Sequence, residues 1–423
     1  PGDLDLDGGW QRGAPGEAWT HSPTTHTTVI RETSGSASIY QETVSFDTSD
    51  SGTSFSNLTL IDPDIEGMAL LRVVDASITL NSVVLEGTVS TWGHIIYVGP
   101  FSGGPSGSVT ITDSTIRNSA TTPSTTKTRF SRGTYGVYAS NSSSVTLTNT
   151  DIEIGAANRA YGIGWGSGEL SITGGSITFT ADSVLESIGL YGYHSDSSNL
   201  TVDGVTIESA STSSTFSPDV SAAIYLFPGT YGAIDIRNNT LTTGTGSDTA
   251  DMYGIHGQPT VETTSVDIVG NVITLNSTSA SDHGTTHPHY TQLGGIGFSG
   301  EATNGALIEG NTIRIGDGAD DGRVETAFGI MVNDSTSSMD PVVVNNLVYR
   351  EAGSDADFEG ISVRDDTNAP FVANNTIVSL ATSTSPRFHG IEVGGSISAE
   401  VVNNIVKAGS ESASGGSKGI QIL

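Results

Sequence analysis

FEGISVRDDTNAPFVANNTIVSL, residues 358–380, contains both markers of a unit that returns along most of this chain. It opens with a small residue followed by an aliphatic one, Gly360-Ile361, and it ends with two short apolar–polar alternations on either side of Asn374-Asn375. A self-similar period of this size predicts a solenoid, in which each unit buries its apolar face only against its neighbours. The small–aliphatic pair returns ten times at intervals of 26 to 41 residues, starting at Gly136, Gly162, Gly189, Ala223, Gly254, Gly295, Gly329, Gly360, Gly390 and Gly419.

An Asn-bearing bend recurs in step with the small–aliphatic pair. The pieces RNNTL, VGNVITL, EGNTIRI, VNNLVY, ANNTIV and VNNIV each lie between two short alternating segments. Asn tolerates the left-handed backbone region and can hydrogen-bond its own main chain, so it suits a sharp bend between two strands. In stacked bends of this kind, one amide lies above the next and can hydrogen-bond to it. The repeat therefore predicts an asparagine ladder of Asn239, Asn271, Asn311, Asn346, Asn375 and Asn404.

The segments beside the bends have the period of β-strands. In VDIVGNVITL, residues 266–275, apolar and polar residues alternate on both sides of the Asn. This alternation places Val266, Ile268, Ile273 and Leu275 on the inner face. No window of ten or more residues has a sustained helical period. Three short strands in each unit of about thirty residues predict an all-β parallel β-helix.

The small–aliphatic first strand and the Asn-bearing bend resemble the repeats of the pectin-lyase-like superfamily, from SFSNLTLID at residues 54–62 to the end of the chain. The resemblance implies a right-handed, single-stranded parallel β-helix (solenoid) of about ten to twelve coils over residues 51–423. We expect this β-helix to continue, or to be capped by another chain, beyond residue 423. Residues 1–50 depart from the repeat and are expected to form a lead-in strand and cap. The superfamily includes lyases, hydrolases, epimerases, phage tailspikes, adhesins and surface proteins, so the resemblance implies a fold and leaves the function open.

The composition indicates a strongly acidic chain. Sixteen basic residues against forty-six acidic ones give a net charge of −30. Nucleic acids and anionic membranes are bound through clustered Lys and Arg, so we expect neither as a partner. An acidic surface suits an extracellular or salt-exposed protein. Because Cys is absent, the coils are expected to be held by ladder hydrogen bonds and stacked aliphatic side chains.

No apolar run is long enough to span a bilayer, so no membrane insertion is expected in this segment. The chain starts at Pro1 without a Met, which favours a secreted polypeptide whose targeting segment has been removed. The expected location is therefore extracellular or at the cell surface.

Side chains that face outward from the first strand are the natural place for chemistry in such a fold. If side chains alternate strictly, the residue after each small–aliphatic pair points outward. This column contains one carboxylate, one imidazole and no Lys or Arg, and so lacks the paired carboxylates of a glycosidase. Arg364, Asp365 and Asp366 follow a first strand, on a different coil from the pair Asp320-Asp321 and from His256. The predicted outward column consists of Tyr138, Gly164, Tyr191, Tyr225, His256, Gly297, Met331, Ser362, Glu392 and Gln421.

Aromatic residues are concentrated in the early part of this column. Rings in a row can stack on sugar faces or anchor a protein partner. The alternative is that loops cover the rings, which then merely complete local packing. The predicted glycan or partner contacts are Tyr138, Tyr191, Tyr193, Tyr225, Phe227 and His256.

Two segments carry residues that suit metal ions. Asp3, Asp5 and Asp7 have the alternate spacing of a calcium loop, although the twelfth position holds Ala14 in place of the closing Glu. Plain strand alternation is the other interpretation. A second candidate is a transition-metal site in the longest insertion, where the alternative is an exposed loop whose histidines cap turns. No cofactor is required on either interpretation, and the insertion's candidate ligands are Asp282, His283, His287 and His289.

The sequence thus favours a secreted or cell-surface β-solenoid with a structural, adhesive or filament-forming role. Its expected partners are an extracellular glycan or protein, or further copies of itself through the chain ends. The rival functions are a polysaccharide lyase or glycoside hydrolase of the pectin-lyase-like superfamily, and a phage tailspike-like fibre. Two carboxylates, or a carboxylate and an Arg, converging in one groove would favour the enzyme.

Overall fold

The chain divides into two compact units, residues 1–181 and 182–423. The fold is taken from a computed structural model. It describes residues 5–7, 10–11, 20–21, 28–31, 44–46, 52–62, 65, 69–89, 93–100, 106–121, 133–140, 142–157, 159–181, 186–193, 197–209, 220–244, 251–276, 291–303, 305–316, 324–334, 339–351, 357–365, 369–380, 387–395, 398–409 and 418–422.

The first unit contains seventeen strands in its described part. They are β1 (Asp5–Asp7), β2 (Trp10–Gln11), β3 (Thr20–His21), β4 (Thr28–Arg31), β5 (Val44–Phe46), β6 (Thr53–Ser56), β7 (Leu58–Asp62), β8 (Ala69–Val73), β9 (Ser77–Asn81), β10 (Val84–Gly87), β11 (Gly93–Val98), β12 (Ser108–Thr112), β13 (Thr115–Asn118), β14 (Thr134–Ala139), β15 (Ser144–Ile154), β16 (Arg159–Trp165) and β17 (Leu170–Phe179).

The second unit contains twenty-three strands in its described part. They are β18 (Glu186–Gly192), β19 (Leu200–Asp203), β20 (Thr206–Glu208), β21 (Val220–Leu226), β22 (Gly229–Thr230), β23 (Ala233–Arg237), β24 (Thr240–Thr243), β25 (Asp251–Thr263), β26 (Ser265–Val269), β27 (Val272–Leu275), β28 (Thr291–Ala302), β29 (Ala306–Glu309), β30 (Thr312–Ile315), β31 (Val324–Asp334), β32 (Pro341–Val344), β33 (Leu347–Arg350), β34 (Asp357–Asp365), β35 (Phe371–Ala373), β36 (Thr376–Ser379), β37 (Phe388–Val393), β38 (Glu400–Val402), β39 (Ile405–Lys407) and β40 (Lys418–Ile422).

Each coil of the second unit contributes a first, a second and a third strand, and each strand pairs in parallel with its equivalent one coil later. The first strands run in the order β18, β21, β25, β28, β31, β34, β37 and β40. The second strands are β19, β23, β26, β29, β32, β35 and β38, and a bend joins each to a third strand, β20, β24, β27, β30, β33, β36 or β39. The short strand β22 pairs in parallel with β25.

The first unit is built in the same way. Its first strands are β5, β8, β11, β14 and β16, and in β15 and β17 the second and third strands are continuous. The strands β1, β4 and β5 pair in parallel with β6, β7 and β8. Only the pair β2–β3 is antiparallel among the ladders of the described residues. The prediction of an all-β parallel solenoid is therefore confirmed.

Aliphatic side chains of successive coils stack in rows to form the core. In the second unit Ile255, Ile296, Ile330, Ile361 and Ile391 are consecutive ladder partners, and each is at most 2% exposed. Burying such a side chain contributes about 2 kcal/mol. No described residue lies in a helix, and the described part accordingly contains no helix that meets the length and hydrophobicity needed to cross a membrane.

The small residue of each repeat is required because the first strand passes close to the third strand and to the next coil. A Cβ on Gly295 would lie 2.5 Å from Cγ2 of Ile313 and 2.5 Å from the carbonyl oxygen of Gly329. A Cβ on Gly360 would meet Ile377 and Gly390 at the same two distances. Neither glycine has a positive φ, so the requirement is one of space. The carbonyl cannot move without breaking the parallel ladder.

We expect Gly295→Ala to destabilise the protein by about 2 kcal/mol or more, because the added methyl group overpacks a backbone contact. Gly419→Ala is the matched control, since a Cβ there has no atom within 4 Å. It should leave stability unchanged or raise it slightly. Urea and thermal unfolding midpoints of the two variants provide the measurement. Equal midpoints would contradict the role assigned to the small residue.

The six asparagines of the bends form a continuous hydrogen-bonded ladder in the second unit. Asn271 shows the pattern: its Oδ1 accepts bonds from the backbone N–H and from Nδ2 of Asn239, at 3.0 and 2.9 Å. Its Nδ2 donates to Oδ1 of Asn311 at 3.0 Å and to the carbonyl of Ile236 at 2.9 Å. The buried amide thus has all its hydrogen-bonding groups satisfied. The same amide-to-amide bonds continue through Asn311, Asn346, Asn375 and Asn404.

The left-handed backbone falls one residue before each ladder asparagine, which corrects the expectation drawn from the sequence. Asn345, for example, has φ 59°, whereas the following Asn346 is outside the left-handed region. Gly takes the same place before two of the ladder asparagines. In each bend the left-handed residue turns the chain, and the ladder asparagine after it hydrogen-bonds to the buried polar groups of the bend. The left-handed residues are Asn238, Gly270, Gly310, Asn345, Asn374 and Asn403.

Two adjacent substitutions separate these roles. Asn346→Leu removes the acceptor of Asn311 and the donor to the carbonyl of Ile308, and should cost about 3 kcal/mol because buried polar groups are left unpaired. Asn345→Gly keeps the left-handed bend and should cost less than about 1 kcal/mol. Denaturant unfolding compares the two variants, and a larger loss in Asn345→Gly would refute the ladder's role.

Candidate functional site

Each first strand presents two outward positions, three residues apart. We call the residue before the small residue the leading position, and the residue after the aliphatic one the trailing position. The predicted alignment of trailing residues is confirmed in both units: Tyr138 pairs with Gly164 in the first. In the second unit the consecutive ladder partners are Tyr191, Tyr225, His256, Gly297, Met331, Ser362, Glu392 and Gln421.

The leading positions form a second outward column that strict alternation missed. Both residues of the small–aliphatic pair point into the core, so the leading and trailing side chains come together on the other side. In β25 the rings of Tyr253 and His256 stack with centroids 4.1 Å apart. In the sequence, this second column is given by the residue that directly precedes each small residue. In the second unit this column consists of Ile188, Ala222, Tyr253, Gly294, Phe328, Glu359, His389 and Lys418.

In the first unit the two columns bring five rings together. Tyr138 is half-buried and stacks on Tyr97 with centroids 5.4 Å apart, while Tyr135 stacks on Tyr161 at 4.6 Å. His94 lies 4.9 Å from Tyr138 and 5.3 Å from Tyr135. Burial raises the pKa of the Tyr97 phenol, which donates to the carbonyl of Pro100. This cluster is largely packed upon itself.

In the second unit four of the predicted contact residues form an aromatic strip, which we define as Tyr191, Tyr193, Tyr225 and Phe227. The ring centroid of Tyr191 is 5.7 Å from that of Tyr193, 6.2 Å from that of Tyr225 and 6.3 Å from that of Phe227. Phe227 is 43% exposed, Tyr191 and Tyr193 are half-buried, and Tyr225 is only 6% exposed. Three of the four rings can therefore reach a ligand.

His256 is enclosed among rings and belongs to local packing. It stacks on Tyr253, and its centroid is 5.2 Å from that of Tyr225. Its Nδ1 is buried and makes no hydrogen bond within the described part of the chain. Burial lowers the pKa of the imidazole from 6.5 to about 4, since the charged form would lose its hydration.

Further along the same face, two carboxylates, an imidazole and a guanidinium converge. His389 and Glu392 are the leading and trailing residues of β37, and the Nδ1 of His389 is 2.6 Å from Oε2 of Glu392. Glu359, in the leading position of β34, pairs in register with His389. An amino nitrogen of Arg364 lies 2.5 Å from Oε1 of Glu359 and 3.0 Å from Oε1 of Glu392. We call these four side chains the polar cluster.

The polar cluster could not be predicted from the single outward column that strict alternation gives. That column contained Glu392 alone among the four residues. The leading positions add Glu359 and His389, and Arg364 reaches them from the end of β34. The cluster is exposed on one side, with side-chain exposures of 16% for Glu359, 37% for Arg364, 19% for His389 and 8% for Glu392.

The metal ligands proposed from the sequence fall largely beyond the described residues. Asp3 lies outside them, as do Asp282, His283, His287 and His289. Asp5 and Asp7 lie in β1, which pairs in parallel with β6. Both metal sites remain predictions.

The pKa of His256 predicts a pH-dependent stability. Because the pKa is lower in the folded protein than in the unfolded chain, the contribution of His256 to stability is present above pH 6.5 and lost as the pH falls towards 4. The loss reaches about 3 kcal/mol at pH 4. His256→Phe should fill the ring stack without this loss. Unfolding free energies of the variant and the parent at pH 7 and pH 4.5 test this, and equal pH dependence in both would contradict it.

Comparison with known proteins identifies no relative of this chain. No protein-family model, no curated protein and no solved structure matches the chain. The fold class rests on the parallel ladders, and the polar cluster and the aromatic strip have to be interpreted from their own chemistry.

Proposed function

We propose that this protein is a secreted or cell-surface β-solenoid of the pectin-lyase-like type that binds extracellular glycan chains along its first-strand face. The main support for glycan binding is the aromatic strip, in which Phe227 is 43% exposed beside the half-buried rings of Tyr191 and Tyr193. An exposed ring held by neighbouring rings offers a flat apolar surface at low entropic cost. Such a surface suits the apolar face of a pyranose ring.

The geometry of the ladder supports a polymeric ligand. Tyr193 and Phe227 directly follow the ladder partners Gly192 and Leu226 on adjacent coils, and parallel strands are spaced about 4.8 Å apart. Side chains at equivalent positions are therefore repeated along the stack with a fixed short spacing. A chain of sugars lying along the stack can contact the exposed rings of these two coils together, and the weak contacts add up to useful affinity.

The charge of the chain supports an extracellular setting and a neutral or cationic glycan. With a net charge of −30, the surface repels polyanions such as nucleic acids. An acidic glycan would be repelled in the same way unless cations bridge the two. We therefore place neutral polysaccharides first among the ligand classes.

A second candidate, cleavage of a polysaccharide, is favoured by the polar cluster. Glu359 and Glu392 approach within 4.8 Å through at least one oxygen each, and Arg364 contacts both. A close carboxylate pair is the arrangement of retaining glycosidases. Arg364 holds both carboxylates in the same ion-pair network, whereas a glycosidase requires one of the two to act as a proton donor. Glycan binding therefore stands first.

The test is retention on a panel of immobilised neutral and acidic polysaccharides, with the flow-through assayed for newly formed reducing ends and unsaturated products. Phe227→Ala and Tyr191→Ala should weaken retention about tenfold. Glu392→Gln should leave retention unchanged, and loss of product in this variant alone would support the second candidate.

Val272→Ala is the matched control, because Val272 is also an exposed apolar side chain, at 46%, but lies on a third strand. It should bind as the parent does. Tyr225 is left unchanged because its ring is buried, and its removal would confuse binding with folding. Equal retention by the parent, Phe227→Ala and Tyr191→Ala would overturn the proposal.

A further inference from the structure

The polar cluster contains a set of side chains that suits a divalent transition-metal ion. Glu359, His389 and Glu392 each offer one ligand atom, and these three atoms all lie within 4.8 Å of one another. An imidazole nitrogen with two carboxylate oxygens is a ligand set used for Zn²⁺. Calcium prefers six to eight oxygen ligands and would not select an imidazole. The donor atoms therefore point to zinc or a similar ion.

The scaffold fixes these ligands before any ion arrives. Glu359 and His389 are ladder partners, and so are Ser362 and Glu392. In β37 the small–aliphatic pair Gly390-Ile391 lies between His389 and Glu392 and is buried, so β37 cannot shift relative to β34. Ligands on regular strands lose little conformational freedom on binding a metal ion.

Buried oxygen atoms on both sides of Glu392 are a second, independent indication. Ser362 is 0% exposed, and its Oγ makes no hydrogen bond within the described residues. Gln421 pairs with Glu392 from the next coil, and its buried Oε1 also makes none. Ladder partners project from the same face, so the Ser362 hydroxyl faces the cluster. A buried polar atom without a partner is costly unless a ligand completes it.

The positively charged guanidinium of Arg364 lies against both carboxylates, where a bound metal ion would also lie. Its guanidinium contacts one oxygen of each carboxylate, at 2.5 and 3.0 Å. The side chain is 37% exposed, so it can turn outward when a more highly charged ion takes over the two carboxylates. The same negative charge that attracts Arg364 would attract a divalent ion more strongly.

We propose that Glu359, His389 and Glu392 bind one divalent transition-metal ion, with the Ser362 hydroxyl or water as the fourth ligand and with Arg364 as a competing cation. This site is separate from the aromatic strip and does not rest on glycan binding. It also differs from the histidine-containing insertion at residues 282–289.

The experiment is calorimetric titration of the chelator-treated full chain with Zn²⁺, with the rise in melting temperature as a second readout. His389→Ala and Glu392→Gln should each weaken Zn²⁺ binding at least about tenfold. Arg364→Ala should tighten it at least about threefold, because a competing positive charge is removed. His256→Phe is the matched control for a histidine on the same face outside the cluster, and should bind as the parent does.

A triple variant, His283→Ala, His287→Ala and His289→Ala, separates this site from the insertion. The proposal requires that this variant still bind one Zn²⁺ with the parent's affinity. Loss of binding in the triple variant, together with unchanged binding in His389→Ala, would overturn the proposal. Weaker binding by Arg364→Ala would show that Arg364 supports the ligands and would overturn its role as a competitor.

Discussion

The close approach of the first strand to the third strand is the constraint on which the rest of this structure depends. At Gly295 and Gly360 a methyl group would collide with a neighbouring aliphatic side chain and with the backbone of the next coil. Only a small residue fits there, which fixes the position of the repeat and the row of isoleucines that follows it. Because both residues of the pair face inward, the two flanking side chains are brought together outside. The packing of the core therefore determines where the outward side chains can meet.

Much of the fold could be predicted from the sequence because its determinants are local and repeated. The glycine and asparagine of each unit identify the first strand and the bend, and the register of the trailing residues follows from counting. Two features could not be obtained in this way. The assignment of the left-handed backbone to Asn345 and not Asn346 depends on the geometry of the bend. The leading column depends on a local departure from alternation, which becomes visible only when the Cβ direction of each glycine is known. Glu359 and His389 were missed for that reason.

The outward columns of the second unit change in chemistry along the stack. Rings dominate where Tyr191, Tyr225 and Tyr253 lie, and charged or polar groups follow at Glu359, His389 and Glu392. The same backbone therefore supports two kinds of surface without any change of fold. Function in this architecture depends on which residues fill two positions per coil, whereas one buried aliphatic row from Leu190 to Ile391 continues beneath both surfaces.

The asparagine ladder also has a direction. Each amide from Asn239 to Asn375 donates a hydrogen bond to the amide of the following coil, and each amide from Asn271 to Asn404 accepts one from the preceding coil. Removing or duplicating one whole coil leaves each remaining amide with a donor and an acceptor. A partial insertion within the bend would interrupt the series. A protein of this kind can therefore change its length in whole coils over evolutionary time. The connections from a third strand to the next first strand already differ in length, as between β27 and β28 and between β33 and β34.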